Sequence, residues 1–375
     1  LDYRVQEVQN KKQLKAFVDF PHHLYAGNVY WVPSLRSDER DTLDSDVNPA
    51  FAYCEARCWL AYDGRRVVGR IAGIINRRHS EKWDQPYLRF GWFDVIDDPE
   101  LTLALLEKVE NWARKEGLTA VHGPMGFTNL DHAGMLIEGF EELATQAAGY
   151  NYAYYRDHME LAGYQKDVDY LEYEMPMAAE MDPKISKLSK LVLKRNDLHL
   201  LDVKHKKDLL PYARELFEML GAEYKHLYGV VPLSEEQINA YIDQYFGFMS
   251  PEFVPVIVDA EGHMVAFGVT LPSLSKALQR SKGKLFPFGA VHILRALKKN
   301  DRADLLLVAV AKEYQGKGVN AVLINRMFEV FRDFGIKKVE SNPELESNIA
   351  VQAQWKHFER RQHKRRRIFI KHLVD

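Results

Sequence analysis

The 375 residues hold 51 Lys and Arg against 53 Asp and Glu, a formal net charge of -2, so no global imbalance points to nucleic acid or an acidic membrane. With 46% hydrophobic and 28% charged residues, the composition is that of a globular protein, and the length favours two domains over one core. The two cysteines, Cys54 and Cys58, stand four apart, the wrong spacing for a Cys-x-x-Cys clamp. A reducing cytoplasm and no metal centre are therefore expected. Leu1-Asp2-Tyr3-Arg4 lacks a leader's apolar core, and no run approaches the ~18 apolar residues of a membrane span.

Along the chain, one pattern occurs twice. Arg57 to Ala61 reads as a strand, Tyr62-Asp63-Gly64 as a tight turn, and Val67 to Ile75 as the returning strand. Leu88 to Val95 predicts a third strand. An amphipathic helix follows, with Leu101, Leu105, Leu106, Val109, Trp112 and Ala113 on one face. Asp98 is its N-cap, Pro99 its first residue and Gly117 its stop. Leu118 to His122 is the next short strand.

In the second half, Val254 to Val258 and Met264 to Thr270 form the hairpin, and Asp304 to Val310 the strand. A helix from Val319 closes at Gly335 and precedes a strand, Ile336 to Glu340. Strand–helix–strand units of this kind predict an α/β fold with a mixed sheet. The copies differ by an insertion, Pro272 to Arg302, with a short helix expected over Val291 to Leu297. Met175-Pro176-Met177 and Asp182-Pro183 are expected to interrupt regular structure from Met175 to Lys194. That places the boundary near residue 180, with domains 1–180 and 181–375.

The chemistry lies in Leu305 to Ile324, where an apolar strand runs into Gln315-Gly316-Lys317-Gly318-Val319-Asn320 and then a helix. Glycines let the backbone turn tightly and approach a ligand, while free N–H groups at a helix start point outward. The helix dipole favours an anion there, and Lys317 adds a full charge. A plain structural turn is the other reading.

This stretch resembles motif A of the GNAT superfamily of N-acetyltransferases, Gln/Arg-x-x-Gly-x-Gly/Ala. Gln315 and Gly318 match, and Asn320 replaces the final Gly or Ala. The resemblance implies two GNAT-like domains in tandem and a site for acetyl-CoA or another acyl-CoA. It implies that Leu307, Val308 and Val310 lend backbone groups to the pantetheine arm, and that Gln315 to Asn320 hold the pyrophosphate. The next strand is expected to splay away. Asn348 matches the family's closing motif, and Trp355 stands where its acidic Tyr is usual, either packing on the cofactor or belonging to the core.

The implied reaction is direct acyl transfer to a small-molecule amine, which needs a base. Asp304 and Glu340 are the leading carboxylates, with Glu344 and Glu346 as rivals. The resemblance covers about Leu198 to Leu373, and the N-terminal half only in outline. There Asp97-Asp98-Pro99-Glu100 replaces the loop, so that half reads as degenerate. Its expected task is to shape the acceptor site through Gly123 to Phe127 and Tyr150, Tyr152, Tyr154 and Tyr155.

Two other readings compete with the enzyme. One is a weakly active acyl-CoA sensor, motivated by Asn320 and Trp355. The other is an RNA- or membrane-associated protein using Arg360 to Arg367. That run precedes a strand-like Ile368-Phe369-Ile370, so a solvated edge strand with protective charge explains it too, as does a clamp for the cofactor's 3′-phosphate.

Overall fold

A computed structural model of the protein describes residues 3–373; Leu1 and Asp2 of the leader expectation lie outside them. Among the described residues fourteen strands form one sheet. In the first half they are β1 (Arg4–Glu7), β2 (Cys54–Asp63), β3 (Arg66–Asn76), β4 (Tyr87–Val95), β5 (Ala120–Gly123), β6 (Met135–Glu138) and β7 (Gln165–Pro176). In the second they are β8 (His199–Leu200), β9 (Val256–Val258), β10 (Met264–Pro272), β11 (Arg302–Val310), β12 (Lys338–Ser341), β13 (Glu344–Leu345) and β14 (Arg361–His372). The order is β1-β2-β3-β4-β5-β14-β7-β12-β11-β10-β9-β8, with β6 beside β14 and β13 beside β7.

Each half contains the expected unit. β4 and β5 run parallel around the helix Pro99–Lys115, and β11 and β12 run parallel around the helix Val319–Phe334. The first helix buries Leu101, Leu105, Leu106, Val109 and Trp112 against the sheet, each such side chain contributing about 1.5–3 kcal/mol. Asp98 accepts from the N–H groups of Glu100 and Leu101. The second helix buries Val322, Leu323, Met327, Val330 and Phe331, and Gly335 ends it in a left-handed conformation.

Two expectations need correction. Met175 to Lys194 is not irregular: β7 runs to Pro176, and Pro183–Arg195 is a helix. Asp182-Pro183 starts that helix as N-cap and first residue, since proline's missing N–H costs nothing there. Nor is Ile368 to Ile370 an edge strand, because β14 lies inside the sheet between β5 and β7.

This position explains the basic run. Lys364 and Arg366 point into the protein, each 1% exposed, and face Glu172 and Glu340. Arg365 and Arg367 point to the other face and pair with Asp169 at 3.0 and 2.8 Å. Charges on an interior strand need partners, and β7 supplies them. From Lys364 to Arg367 the run is therefore occupied within the fold, while Arg360 and Arg361 stay exposed.

The two halves also exchange strands. β14 comes from the end of the chain yet pairs with β5 and β6, while β7 pairs with β12 and β13. Among the described residues no helix is long and apolar enough to cross a membrane. Cys54 and Cys58 are free thiols, both pushed up to about 12 by burial.

Candidate active site

The site begins where two strands part. β11 pairs with β12 only from Arg302 to Leu305, and continues alone on that side to Val310. Residues on a strand alternate the direction of their backbone groups, so 306, 308 and 310 face the opening. Side chains cap all three carbonyls. Asn342 donates to Leu306 at 3.1 Å, Tyr224 to Val308 at 2.9 Å and Gln315 to Val310 at 2.9 Å. The Leu307 backbone, by the same alternation, turns to β10.

At the end of β11 the chain makes the anion loop. Gly316 and Gly318 adopt φ of +74° and +82°, a region that favours glycine. Gly318 is the N-cap of the helix and has no side chain to satisfy its amides. Among the described residues the N–H groups of Gly316, Gly318, Val319 and Asn320 have no backbone or side-chain acceptor. Four free donors and a helix dipole make an anion cradle, and these four residues line the cavity beside it. Lys317 sits on the rim, its ammonium 5.2 Å from the ring centre of Tyr314. Asn320 keeps a buried Oδ1 without a partner.

That cavity measures about 1280 Å³ and reaches from the loop into the first half. Near the opening its wall includes Tyr224, Glu344, Asn348 and Trp355. Asn348 caps the helix Ile349–Ala353. The indole of Trp355 donates to Glu344 at 2.7 Å, so it both packs and anchors. Burial pushes the Glu344 carboxyl up to about 7, against the pull of that hydrogen bond. Its second oxygen is buried without a partner. Burial also raises the Tyr224 phenol, and the Glu344 charge adds to the rise, which puts the two groups near each other.

Asp304 and Glu340 are elsewhere. Both are buried, and neither is in the cavity wall. Burial, then the adjacent Glu340 charge, pushes the Asp304 carboxyl up to about 8. Burial raises Glu340 too, but His363 and Lys364 more than reverse this and hold it below the usual range. Glu340 is thus committed to an ion cluster. Glu172, Glu340 and His363 bring possible metal ligands within 4.8 Å of one another, and Lys364 and Arg366 already supply positive charge there.

In the first half the matching opening is closed. β4 pairs with β5 only from Tyr87 to Arg89. Beyond it the Tyr154 hydroxyl donates to the Val95 carbonyl, and the Val95 N–H donates to Tyr155. Asp98 takes up the helix-start amides, so no anion cradle remains. Of the acceptor-site residues expected from sequence, Pro124, Met125, Tyr150 and Tyr155 reach the cavity, whereas Phe127, Tyr152 and Tyr154 do not.

The first half contributes polar groups that sequence reading missed. Asp94 accepts from Arg70 at 2.7 Å and from Tyr25 at 2.8 Å on the cavity's far wall. Arg89 is 1% exposed and donates to the carbonyls of Gly126, Phe127 and Gly229. Among the described residues it has no carboxylate partner, and burial lowers its pKa. A charge embedded in an apolar strand was the available signal.

Comparison with known proteins agrees with this architecture. Residues 214–358 match the acetyltransferase (GNAT) family. A tandem GNAT protein from the clavulanic acid biosynthesis pathway superposes over 100% of both chains, with a TM-score of 0.56 and 14% identity. Residues 214–358 thus form a GNAT transferase domain, and the chain as a whole has a tandem GNAT fold. Its second half carries the anion loop, which its first half lacks. The chain is 29% identical to Protein YghO of Escherichia coli (strain K12), over 98% of this chain and 95% of that one. It is 27% identical to the bacterial ceramide synthase of Caulobacter vibrioides (strain NA1000 / CB15N), over 93% of this chain and 92% of that one. The GNAT fold generally uses an acyl-CoA cosubstrate.

Proposed function

We propose that the protein is an N-acyltransferase that moves a long acyl group from coenzyme A to the primary amine of a long-chain, lipid-like acceptor. The observation that carries this is the cavity of about 1280 Å³. It exceeds the ~300–1,000 Å³ of an ordinary small-molecule site, and Leu271, Leu306, Phe217, Met327, Phe331 and Trp92 are in its wall. The cofactor takes the end lined by Gly316 to Asn320, and the apolar wall continues beyond it into the first half as far as Trp92, farther than an acetyl group and a small amine extend. The similarity to a protein named as a ceramide synthase supports the same reading, since a ceramide is a fatty amide of a long-chain amine.

Acyl-CoA supplies the activated thioester. The amides of Gly316, Gly318, Val319 and Asn320 are suited to its pyrophosphate, and the open edge of β11 at Val308 and Val310 to its pantetheine arm. Glu344 takes the proton from the acceptor's ammonium group, because a base with a pKa near 7 is available at neutral pH. Trp355 holds that carboxylate and, as a very weak acid, gives no proton to the leaving group. The far wall, with Arg70 and Asp94, orients polar groups on the acceptor.

The test is product detection by mass spectrometry with acetyl-, octanoyl- and palmitoyl-CoA against a long-chain 2-amino alcohol and small polar amines. Amide formation from palmitoyl-CoA and the long-chain amine is expected. Acetyl transfer to small amines alone overturns the proposal. Acyl-CoA binding with no amide from any pair favours the sensor reading, for which Trp355 in the usual Tyr position is the motivating residue.

A further inference from the structure

The segment between β10 and β11 builds a surface of its own. From Ser273 to Asn300 it holds seven Lys or Arg and no Asp or Glu. It folds as two helices, Ser275–Ser281 and Gly289–Lys298. In the first half only the seven-residue helix Arg77–Trp83 lies between β3 and β4.

The two faces of this insertion differ. Leu274, Leu278 and Ile293 point inward, are 6%, 3% and 1% exposed, and lie in the cavity wall. On the outside Phe286, Phe288 and Leu294 are 81%, 72% and 56% exposed. Lys276, Arg280, Lys284, Arg295 and Lys298 are exposed as well. Among the described residues none of these five is in an ion pair. Large apolar side chains held in water mark an interaction site, and a basic, amphipathic helix with exposed Phe and Leu has the make-up of an interfacial one.

We propose that this surface docks the protein on an anionic phospholipid bilayer. Phe286, Phe288 and Leu294 enter the headgroup boundary, and the surrounding cations lie against lipid phosphates. Charge complementarity selects this occupant. A second copy of the chain brings the same cations and is repelled, and a nucleic-acid backbone offers no apolar layer for two phenylalanines. The cavity lies directly beneath the docked helices, so an acceptor drawn from the bilayer reaches it past Leu278 and Ile293. That last step rests on the lipid-acceptor reading above; the docking itself does not.

The experiment is co-sedimentation of the full chain with vesicles of phosphatidylcholine alone and of phosphatidylcholine with phosphatidylglycerol. Binding to the anionic vesicles, weakened by salt, is expected. Two variants test the mode: Phe286→Ser with Phe288→Ser and Leu294→Ser, and Lys284→Glu with Arg295→Glu and Lys298→Glu. Each basic residue near an anionic surface is worth about 1 kcal/mol, so the charge variant should bind at least about tenfold more weakly. Circular dichroism checks that both remain folded. No binding, equal binding to both vesicle types, or variants that bind like the parent overturns the proposal. Binding of RNA but not vesicles overturns it too. Activity on detergent-dispersed acceptor should be unchanged in both variants, so failure of docking and failure of the acyltransferase reading are separate results.

Discussion

The indole N–H of Trp355 donates to the carboxylate of Glu344 at 2.7 Å, inside the cavity. Burial sets that carboxyl at about 7, and this hydrogen bond is the largest influence lowering it. A base works when deprotonated, so activity should rise as pH increases through about 7. Glu344→Gln should lose on the order of 10²–10⁴ in kcat/KM together with that limb. In Trp355→Phe the carboxylate loses its donor, and the limb should move to higher pH by about one unit. A pH–rate profile with an unmoved limb in Trp355→Phe rules out Glu344 as the titrating base.

The Tyr224 hydroxyl engages both backbone groups of Val308, donating to the carbonyl at 2.9 Å and accepting from the N–H at 3.4 Å. Ligand bound along that edge has to displace it. Tyr224→Phe should therefore tighten acyl-CoA binding by up to about tenfold, the worth of one net hydrogen bond. Calorimetric titration reads this directly. Weaker binding in the variant shows instead that the hydroxyl contacts the ligand.

Arg366 and Glu172 are 1% and 0% exposed and pair at the centre of the sheet. Arg366→Ala leaves Glu172 facing Lys364 alone. The expected loss of stability is about 3–5 kcal/mol, measured by urea unfolding followed by circular dichroism. A loss near zero means that the pair contributes nothing net.

Asp304 is buried with its carboxyl raised to about 8 from an ordinary 3.8. The folded state therefore holds a proton that the unfolded state releases, and Asp304 costs stability progressively as pH rises between these two values. Asp304→Asn removes the ionisation. It should raise the melting temperature above about pH 8 and leave it nearly unchanged below about pH 4, where the parent is neutral in both states. An equal effect at both ends indicates that Asp304 is already charged in the fold.

Local structure was legible because it depends on near neighbours. The N-cap at Asp98, the stop at Gly335 and the hairpins follow from backbone preferences that a few residues express. The anion loop was legible for the same reason, since its donors all lie between Gly316 and Asn320. The carboxylate that lines the cavity was not. Asp304, Glu340 and Glu344 look alike in one dimension, and which one meets the cavity depends on where β11 and β12 part.

The basic run Arg360 to Arg367 marks the division most clearly. By itself the sequence determined a strand over Ile368 to Ile370, just after the run, and that alternate side chains of any strand share a face, because the pleat repeats every two residues. Only the tertiary structure decided that the strand lies between β5 and β7, more than 180 residues away in sequence. Charge that reads as an exposed patch became an internal ion network, because Glu172 and Asp169 stand opposite it. The cations of the insertion after β10 are exposed and, among the described residues, have no such partners across the fold.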